Sequence, residues 1–315
     1  VGSEMCIRDR CISCDLCEKR CPAGREMLEH HARLLGAQAK DEALRRQSSS
    51  GGVFTLLARE VIRRGGVVFG AAFGENMRVE HVGAFDETEL SGMRGSKYVQ
   101  SDATDAIGNA VSLLKREIPV LFSGTPCQIN GLLAALGNTK SDKLLTVDFV
   151  CHGVPSPGVF ASYLVELEKK HGSRVSAYTF RDKRLGWKNF SAVATFENGE
   201  EHAGTQTTEP YLYGFLQNLY LRPSCHSCSQ LRGERHAADI TLADLWGAEK
   251  ICPERDDDTG LSFVMANTQK GRQALEQSGM QLNAFSIRNF EGMTRTNPSL
   301  LVPVSYTHLT LPTKA

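Results

Sequence analysis

The sequence lacks an excess of charge of either sign, and it lacks long hydrophobic runs. Its 36 basic and 36 acidic residues cancel, so the charge balance gives no reason to expect binding to nucleic acid or to an anionic membrane. No apolar run approaches the roughly 20 residues that a membrane-spanning helix needs. The first residues also lack the apolar core of a secretory signal. We therefore expect a cytoplasmic protein without a membrane span.

Cysteine, in contrast, is well represented, with ten residues in 315. Disulfide frameworks do not persist in a reducing compartment, where clustered cysteines more often bind metal or carry out redox chemistry. A chain of this length can bury a substantial core in one large domain or two. The cysteine pattern is therefore the first guide to function.

The two ends of the chain differ from the rest. Val1–Arg10 and Pro303–Ala315 resemble translated sequencing-adapter DNA, so we expect both ends to be sequencing artefacts that pack against nothing. Cys6 is left out of the chemistry for the same reason. The remainder is divided into a truncated ferredoxin-like segment with its linker, residues 11–46, and a larger domain, residues 47–302.

The first motif is a dense run of cysteines. Cys11, Cys14, Cys17 and Cys21 follow the spacing C-x2-C-x2-C-x3-C, and Pro22 comes next. This is the bacterial ferredoxin spacing for a 4Fe–4S cluster, whereas structural zinc sites use two separated pairs. In two-cluster ferredoxins the fourth cysteine ligates the other cluster. Either Cys21 completes this cluster or it serves a second cluster whose remaining ligands lie upstream of this chain, and we favour the second alternative.

A polar stretch and two short motifs come next. Glu26–Arg46 is predicted to be an exposed helix or a linker. Ser48–Gly52 and Arg94–Ser101 each precede a predicted helix. Free N–H groups at a helix start suit a phosphate, and Lys97 could add a point charge. The alternatives are a plain helix cap for the first motif and a surface loop for the second.

Two apolar runs, Val120–Phe122 and Leu144–Val150, are typical of buried strands of a parallel sheet. Each is followed by a cysteine, Cys127 or Cys151. Ligands of such sheets lie past the carboxyl ends of the strands, so the two cysteines are expected to share a site. The alternative is two buried structural thiols.

A further pair, Cys225 and Cys228, has C-x2-C spacing, which fits zinc, a redox dithiol or an iron–sulfur cluster. We expect these two thiols to converge with Cys127 and Cys151. A structural zinc site with four thiolates would satisfy the same residues. The ferredoxin-like run upstream favours iron.

Three other features have open roles. His152 and Asp244 could each move a proton or could be structural. The cationic stretch Phe180–Lys188 is expected to be a solvated turn, with binding to an anionic substrate or partner as the alternative.

Taken in order, these motifs resemble one family, the beta subunit of coenzyme F420-reducing hydrogenase with its related dehydrogenase subunits and chlorophyll-cycle reductases. The likeness runs from about Cys11 to Ala284 through SSSGGVFTLL, RGSKYVQS, FSGTPCQINGL, VDFVCHGVPSP, RPSCHSC and ADITLADLWG. It implies an α/β fold, in which a mixed, largely parallel sheet forms the flavin domain and a small ferredoxin-like iron–sulfur segment precedes it. The fused ferredoxin run and the FRDKRLGWK stretch depart from the archaeal hydrogenase pattern.

The resemblance also implies FAD and one or two 4Fe–4S clusters in this chain. By that resemblance, a cluster beside the flavin is ligated by Cys127, Cys151, Cys225 and Cys228. Ser50, Gly51, Gly52, Ser96 and Lys97 would then lie along FAD, with Thr125 near its ring. Electrons would pass between clusters and FAD for F420 or another acceptor, with a redox partner protein or hydrogenase/dehydrogenase subunit. The alternative is a non-catalytic electron-transfer subunit or a zinc-stabilised partner subunit.

Overall fold

The computed structural model describes residues 32–137, 141–230, 236–288 and 290–307. The ferredoxin-like cysteines Cys11, Cys14, Cys17 and Cys21 lie outside these residues, as does Val1–Arg10. The cluster predicted for that run, and its separation from the rest of the chain, therefore stay predictions.

Two β-sheets organise the described residues. The strands are β1 Arg33–Ala39, β2 Val67–Phe73, β3 Val79–Ala84, β4 Val120–Ser123, β5 Leu144–Phe149, β6 Val175–Asp182, β7 Ser191–Phe196, β8 Glu201–Thr205, β9 Ile240–Asp244, β10 Ser262–Ala266 and β11 Leu282–Ser286. The large sheet has the order β11-β1-β10-β9-β5-β4-β2-β3, and β6, β7 and β8 form a second, antiparallel sheet. The predicted mixed α/β fold is confirmed. Parallel pairing is confined to β2, β4, β5 and β9 in the large sheet, and its other neighbours are antiparallel.

Helices cover both faces of the parallel strands. The α-helices of the described residues are α1 Glu42–Arg46, α2 Val53–Arg63, α3 Glu87–Ser91, α4 Thr104–Lys115, α5 Pro126–Leu136, α6 Pro157–His171, α7 Pro210–Leu216, α8 Ala248–Ile251, α9 Gln269–Gln277 and α10 Phe290–Thr296. Leu121 packs with α2 on one face, whereas Val120 and Phe122 pack with α4 and α5 on the other. This two-sided burial explains why the strand is a continuous apolar run. Among the residues that the structure describes, no helix is long and apolar enough to cross a membrane.

Strand β1 corrects part of the prediction for Glu26–Arg46, whereas Glu42–Arg46 is helical. Instead of a linker or exposed helix, Arg33–Ala39 lies inside the large sheet between β10 and β11, antiparallel to both. Ala37 and Ala39 are fully buried. The prediction was wrong because leucine, alanine and arginine favour helices in isolation. In this strand the small residues are required by close packing inside the sheet. Gly36 illustrates this, since a Cβ at that position would lie 2.2 Å from the Phe285 ring.

The second sheet packs against the carboxyl edge of the parallel strands. Phe73, at the end of β2, has its ring centroid 6.2 Å from that of Phe160 and 6.3 Å from that of Phe180 in β6. These rings belong to an aromatic core shared by α6, α7 and the small sheet. The carboxyl edge, where the sequence places its candidate ligands, is therefore partly covered by β6.

The chain beyond residue 302 also makes contacts. The Val304 carbonyl lies 3.2 Å from His226 Nδ1, the Tyr306 ring meets the His226 ring at 5.0 Å, and Thr307 Oγ1 donates to Gln217 O at 2.9 Å. The expectation that this end packs against nothing is therefore wrong for residues 303–307. The origin of both ends stays a prediction.

Candidate functional site

Two of the predicted ligand cysteines lie at the carboxyl ends of adjacent parallel strands. Strands β4 and β5 pair through Ser123 and Val147. Cys127 lies in the first turn of α5, just past β4, and Cys151 follows the end of β5. The turn after β4 is fixed by Thr125, which caps α5 in a capping box with Gln128. The Thr125 hydroxyl also lies 3.0 Å from Cys127 Sγ.

The C-x2-C loop lies against the segment that follows Cys151. Pro155 forms an antiparallel bridge with Leu221, and Arg222 N donates to Val154 O at 3.0 Å. A Cβ built on Gly153 would lie 3.6 Å from Cys225 Sγ. The loop is thus held over the carboxyl edge by backbone contacts.

The four thiols influence one another's ionisation. Burial raises the pKa of the Cys151 thiol, and Cys127, Cys225 and Cys228 raise it further. Burial likewise raises the pKa of Cys127 and of Cys225, and Cys228 adds to both. Cys127 also raises the pKa of Cys225, so each of the six thiol pairs interacts. Such a set suits a bound cation, because a coordinating metal removes the electrostatic cost of thiolates.

Within the ranges that the structure describes, no three His, Cys, Asp or Glu side chains are arranged to hold one metal ion. A tetrahedral zinc with Zn–S bonds of ~2.3 Å would need its sulfurs within ~4 Å of one another. All five described cysteines are free thiols, and Cys252 is buried away from the others. The iron–sulfur prediction for the four remains a prediction.

The two motifs predicted to bind phosphate meet in space. Ser49 Oγ and Ser96 Oγ are 2.8 Å apart. Two neighbours in the first motif are committed to internal contacts, because Ser50 Oγ donates to Leu261 O at 2.8 Å and Gly51 N donates to Ser262 Oγ at 2.9 Å. Ser50 and Gly51 therefore have a structural role in addition to the predicted one.

Helix α2 begins at this junction without a side-chain cap. Its N-cap is Gly52, with φ of 81°, and both Gly52 and Val53 are buried. The first N–H groups of an α-helix have no partner within the helix, and a phosphate fits such a terminus. The start of α2 is therefore chemically suited to the predicted cofactor.

Lys97 lies in the neighbouring loop and is oriented by carbonyl groups. Its Nζ donates to Gly92 O and Arg94 O, both at 2.9 Å. Burial lowers the pKa of Lys97 to about 7. An anion beside the ammonium would favour its charged form.

The thiol edge and the Ser96 loop are connected through Gln128. Its side chain completes the capping box of Thr125 and donates to Ser101 Oγ at 2.9 Å. Thr125 is itself buried. The residue predicted to lie near the flavin ring thus stands between Cys127 and the loop of Lys97.

His152 and Asp244 have different surroundings. His152 Nε2 is buried and has no hydrogen-bond partner within the described residues. Burial lowers the pKa of His152, although Asn218 and the Phe215 backbone oppose that shift. Both carboxylate oxygens of Asp244 are engaged, with Arg181 Nη1 at 2.5 Å and Trp187 Nε1 at 3.3 Å. Proton transfer by either residue stays a prediction.

The stretch Phe180–Lys188 is a solvated turn only at Arg184 and Leu185, which are exposed. Arg181 and Trp187 are buried, and Lys183 Nζ donates to Arg45 O at 2.7 Å and to Thr259 O at 2.6 Å. The sequence favoured a solvated turn over anion binding for this stretch and did not single out Arg181 or Lys183 within it. The signal was present in the aromatic residues that flank them, because cations next to buried rings are often buried themselves.

Two surface clefts lie elsewhere. One of about 400 Å³ is lined by Ile251, Cys252 and Phe285 among others, and one of about 430 Å³ lies between α2 and the residues that follow α9. Neither contains a predicted site residue. The chemistry of the carboxyl edge therefore weighs more than these clefts in locating the site.

Comparison with known proteins agrees with this architecture. Residues 119–286, more than half of the chain, match the family described as the C terminus of the coenzyme F420 hydrogenase/dehydrogenase beta subunit. The chain belongs to this family, which indicates an electron-transfer oxidoreductase role. A comparison with curated proteins gives no match.

Among solved structures, the chain is similar to one described as the xenon derivatization of the F420-reducing [NiFe] hydrogenase complex from Methanosarcina barkeri. The likeness covers 87% of this chain and 90% of that chain, with 18% sequence identity and a TM-score of 0.59. At this identity the match shows the shared fold.

Proposed function

We propose that the chain is an iron–sulfur flavoprotein oxidoreductase subunit that passes electrons between 4Fe–4S clusters and FAD, for reduction or oxidation of coenzyme F420 or another acceptor. The observation that carries this proposal is the position of Cys127 and Cys151 just past two adjacent parallel strands, with the segment before Cys225 bridged to the one that follows Cys151. When bound, a flavin couples one-electron to two-electron chemistry. A cytoplasmic location and a hydrogenase or dehydrogenase partner subunit belong to the same proposal.

The chain's own residues would divide the work between two neighbouring areas. The free N–H groups at the start of α2, together with Ser96 and Lys97, would bind the phosphates of FAD. Thr125 would lie between that area and the cluster of Cys127. The aromatic core around β6 would limit access of water to the carboxyl edge.

His152 is the better candidate for moving a proton at this edge. Its Nε2 is buried and has no hydrogen-bond partner within the described residues. Asp244 already uses both oxygens within the chain. We therefore assign Asp244 chiefly to orienting Arg181.

The alternative function is a non-catalytic, zinc-stabilised partner subunit. Four cysteines are the ligand set that structural zinc prefers. Bound flavin separates the two functions, because a zinc-stabilised structural subunit has no need of it.

The test is anaerobic purification of the chain, followed by assays of flavin, iron and labile sulfide and a screen of electron acceptors. We expect FAD and labile sulfide together. Cys151→Ser should lose the iron of this site and keep FAD, whereas Cys252→Ser, at a buried thiol away from the set, should keep both. Stoichiometric zinc without sulfide or flavin would support the alternative.

A further inference from the structure

The buried side chain of Arg181 has one unused edge. The residue is 7% exposed, and its Nη1 is bound to Asp244 at 2.5 Å. Its Nε and Nη2 are buried and have no hydrogen-bond partner within the described residues. Leaving such groups unpaired is costly, and native structures rarely do so without a reason.

The other sides of the guanidinium are covered. Its carbon lies 4.3 Å from the centroid of the Phe190 ring and 5.3 Å from that of Trp246. Asp244 holds one end and is itself fixed by Trp187. Among the described residues, the edge formed by Nε and Nη2 is the part of the guanidinium without a partner that meets hydrogen-bond geometry, and the Tyr98 hydroxyl is its polar neighbour.

This edge has the geometry for two oxygens. Nε and Nη2 carry parallel N–H bonds, and the same pair of atoms binds both oxygens of a carboxylate elsewhere in this chain. Arg59 binds Glu87 in this way, with both N–O distances at 2.8 Å. Arg63 binds Glu60 likewise, with both at 2.9 Å. An arginine fork matches carboxylate and phosphate groups equally well.

The edge lies next to the residues of the proposed phosphate area. Burial raises the pKa of the Tyr98 hydroxyl, while the charge of Arg181 and hydrogen bonding by Ser96 and Arg181 oppose that shift. The hydroxyl therefore lies between Ser96 and the Arg181 edge, and a ligand oxygen at that edge would share it with Tyr98. Ser96 in turn contacts Ser49 at 2.8 Å. A continuous polar path therefore joins the guanidinium to the start of α2.

We propose that the Nε–Nη2 edge of Arg181 binds an oxyanion, a phosphate or carboxylate group, of the ligand held at the carboxyl edge of the sheet. The path to Ser96 and α2 favours a phosphate of the cofactor over a carboxylate of the substrate. The identification of that cofactor as FAD rests on the proposed function, whereas the oxyanion chemistry rests on Arg181 itself.

The test compares Arg181→Lys with the chain as it stands, using FAD, riboflavin, inorganic pyrophosphate and oxalate as probes. Binding is followed by flavin fluorescence and by thermal shift. Lysine can still pair with Asp244, but it lacks the two parallel N–H bonds that arginine carries on Nε and Nη2. Loss of charge-assisted hydrogen bonds should weaken FAD and pyrophosphate by about 10- to 100-fold and leave riboflavin unchanged. Arg59→Lys, which alters the same fork at a surface pair, is the matched control and should change none of these affinities.

Should Arg181→Lys fail to fold, Arg181→Gln combined with Asp244→Asn removes both charges together and is expected to give the same losses. Weakened oxalate with unchanged FAD would support the proposal and assign the anion to the substrate. Equal weakening of FAD and riboflavin would overturn it, because the edge would then bind the flavin ring. Unchanged binding of every probe would also overturn it, because Nε and Nη2 of Arg181 would then hydrogen-bond to water alone.

One result separates this inference from the proposed function. If the chain binds no FAD, yet Arg181→Lys abolishes its thermal stabilisation by pyrophosphate or oxalate, the flavin function fails and the oxyanion site stands. If FAD binds and no probe depends on Arg181, the flavin function stands and the inference fails.

Discussion

Arg45 and Arg181 are buried to nearly the same extent, at 6% and 7% exposure, yet they are used differently. Every nitrogen of Arg45 is bound within the chain. Nε donates to Thr259 Oγ1 at 2.8 Å, Nη1 donates to Ala39 O at 2.7 Å and Nη2 pairs with Asp257 at 2.5 Å. Arg181 uses Nη1 alone among the described residues. Burial therefore does not separate a structural arginine from a binding one, whereas the completeness of its hydrogen bonds does.

The largest expected effect is a loss of stability on replacing Arg45, the structural arginine of the two. Arg45→Met should lower the free energy of unfolding by about 2–4 kcal/mol, because it leaves three acceptors from separate segments without their donor. Arg181→Lys should cost less than about 1 kcal/mol, since the ion pair with Asp244 is kept. Urea denaturation of both variants measures the difference.

The control for that pair is Arg46→Met. Arg46 forms an exposed ion pair with Glu42, and its loss should stay within about 0.5 kcal/mol. A loss for Arg181→Lys as large as that for Arg45→Met would break the comparison, because Arg181 would then be structural too.

A second prediction concerns Gly51, which we expect to have a structural role like that of Arg45. A Cβ there would lie 2.4 Å from Ala37 O and 2.9 Å from Ser262 N. Gly51→Ala should therefore lower the free energy of unfolding by about 1–3 kcal/mol through steric displacement of β1.

Gly108 is the matched control for that substitution. It lies within α4, and a Cβ there would meet no atom within 4 Å. Gly108→Ala should raise stability by about 0.5–1 kcal/mol, since alanine is the better helix former. A tolerated Gly51→Ala would show that the turn can shift away from β1, and the first motif would then be free for a ligand alone.

Much of the fold could be predicted because the local patterns were strong. The strands predicted before Cys127 and Cys151 are confirmed as Val120–Ser123 and Leu144–Phe149. Each of these segments combines β-branched residues with glycine or proline boundaries. Their parallel pairing then brings the two cysteines to one edge.

What could not be predicted depends on pairings across long separations. Strand β1 contains two leucines, two alanines and a glutamine, and only its place between β10 and β11 makes it a strand. Likewise, Arg181 lies 63 positions from Asp244, and the neighbouring Phe180 does not reveal that pairing. Tertiary context overrides local preference in both cases.

A smaller effect is expected where the two phosphate motifs meet. Ser49→Ala removes the 2.8 Å contact with Ser96 and should weaken FAD binding by about 3- to 10-fold, with little change in unfolding. The comparable Ser91→Ala removes an exposed bond to Thr88 O and should leave the affinity unchanged. Equal effects of the two variants on FAD would exclude the junction from the ligand site.

The smallest effect is a dependence of FAD affinity on pH. Burial lowers the pKa of Lys97 from its ordinary value of 10.5 to about 7, so the ammonium is mostly charged at pH 6 and mostly neutral at pH 7.5. A phosphate binds the charged form better, and binding therefore takes up a proton. Affinity should fall by at most about fourfold between those pH values.

Lys97→Arg should flatten this dependence, because arginine stays charged throughout the range. Lys183 also has a pKa lowered to about 7, but its Nζ is bound to carbonyls of three segments. If Arg181 is the cation that contacts the ligand, Lys183 affects FAD affinity only through its charge at a distance. The dependence of FAD affinity on pH that remains in Lys97→Arg should then be small. If FAD affinity in Lys97→Arg depends on pH as strongly as before, Lys183 is the group that titrates. The anion would then lie closer to Lys183 than to Lys97.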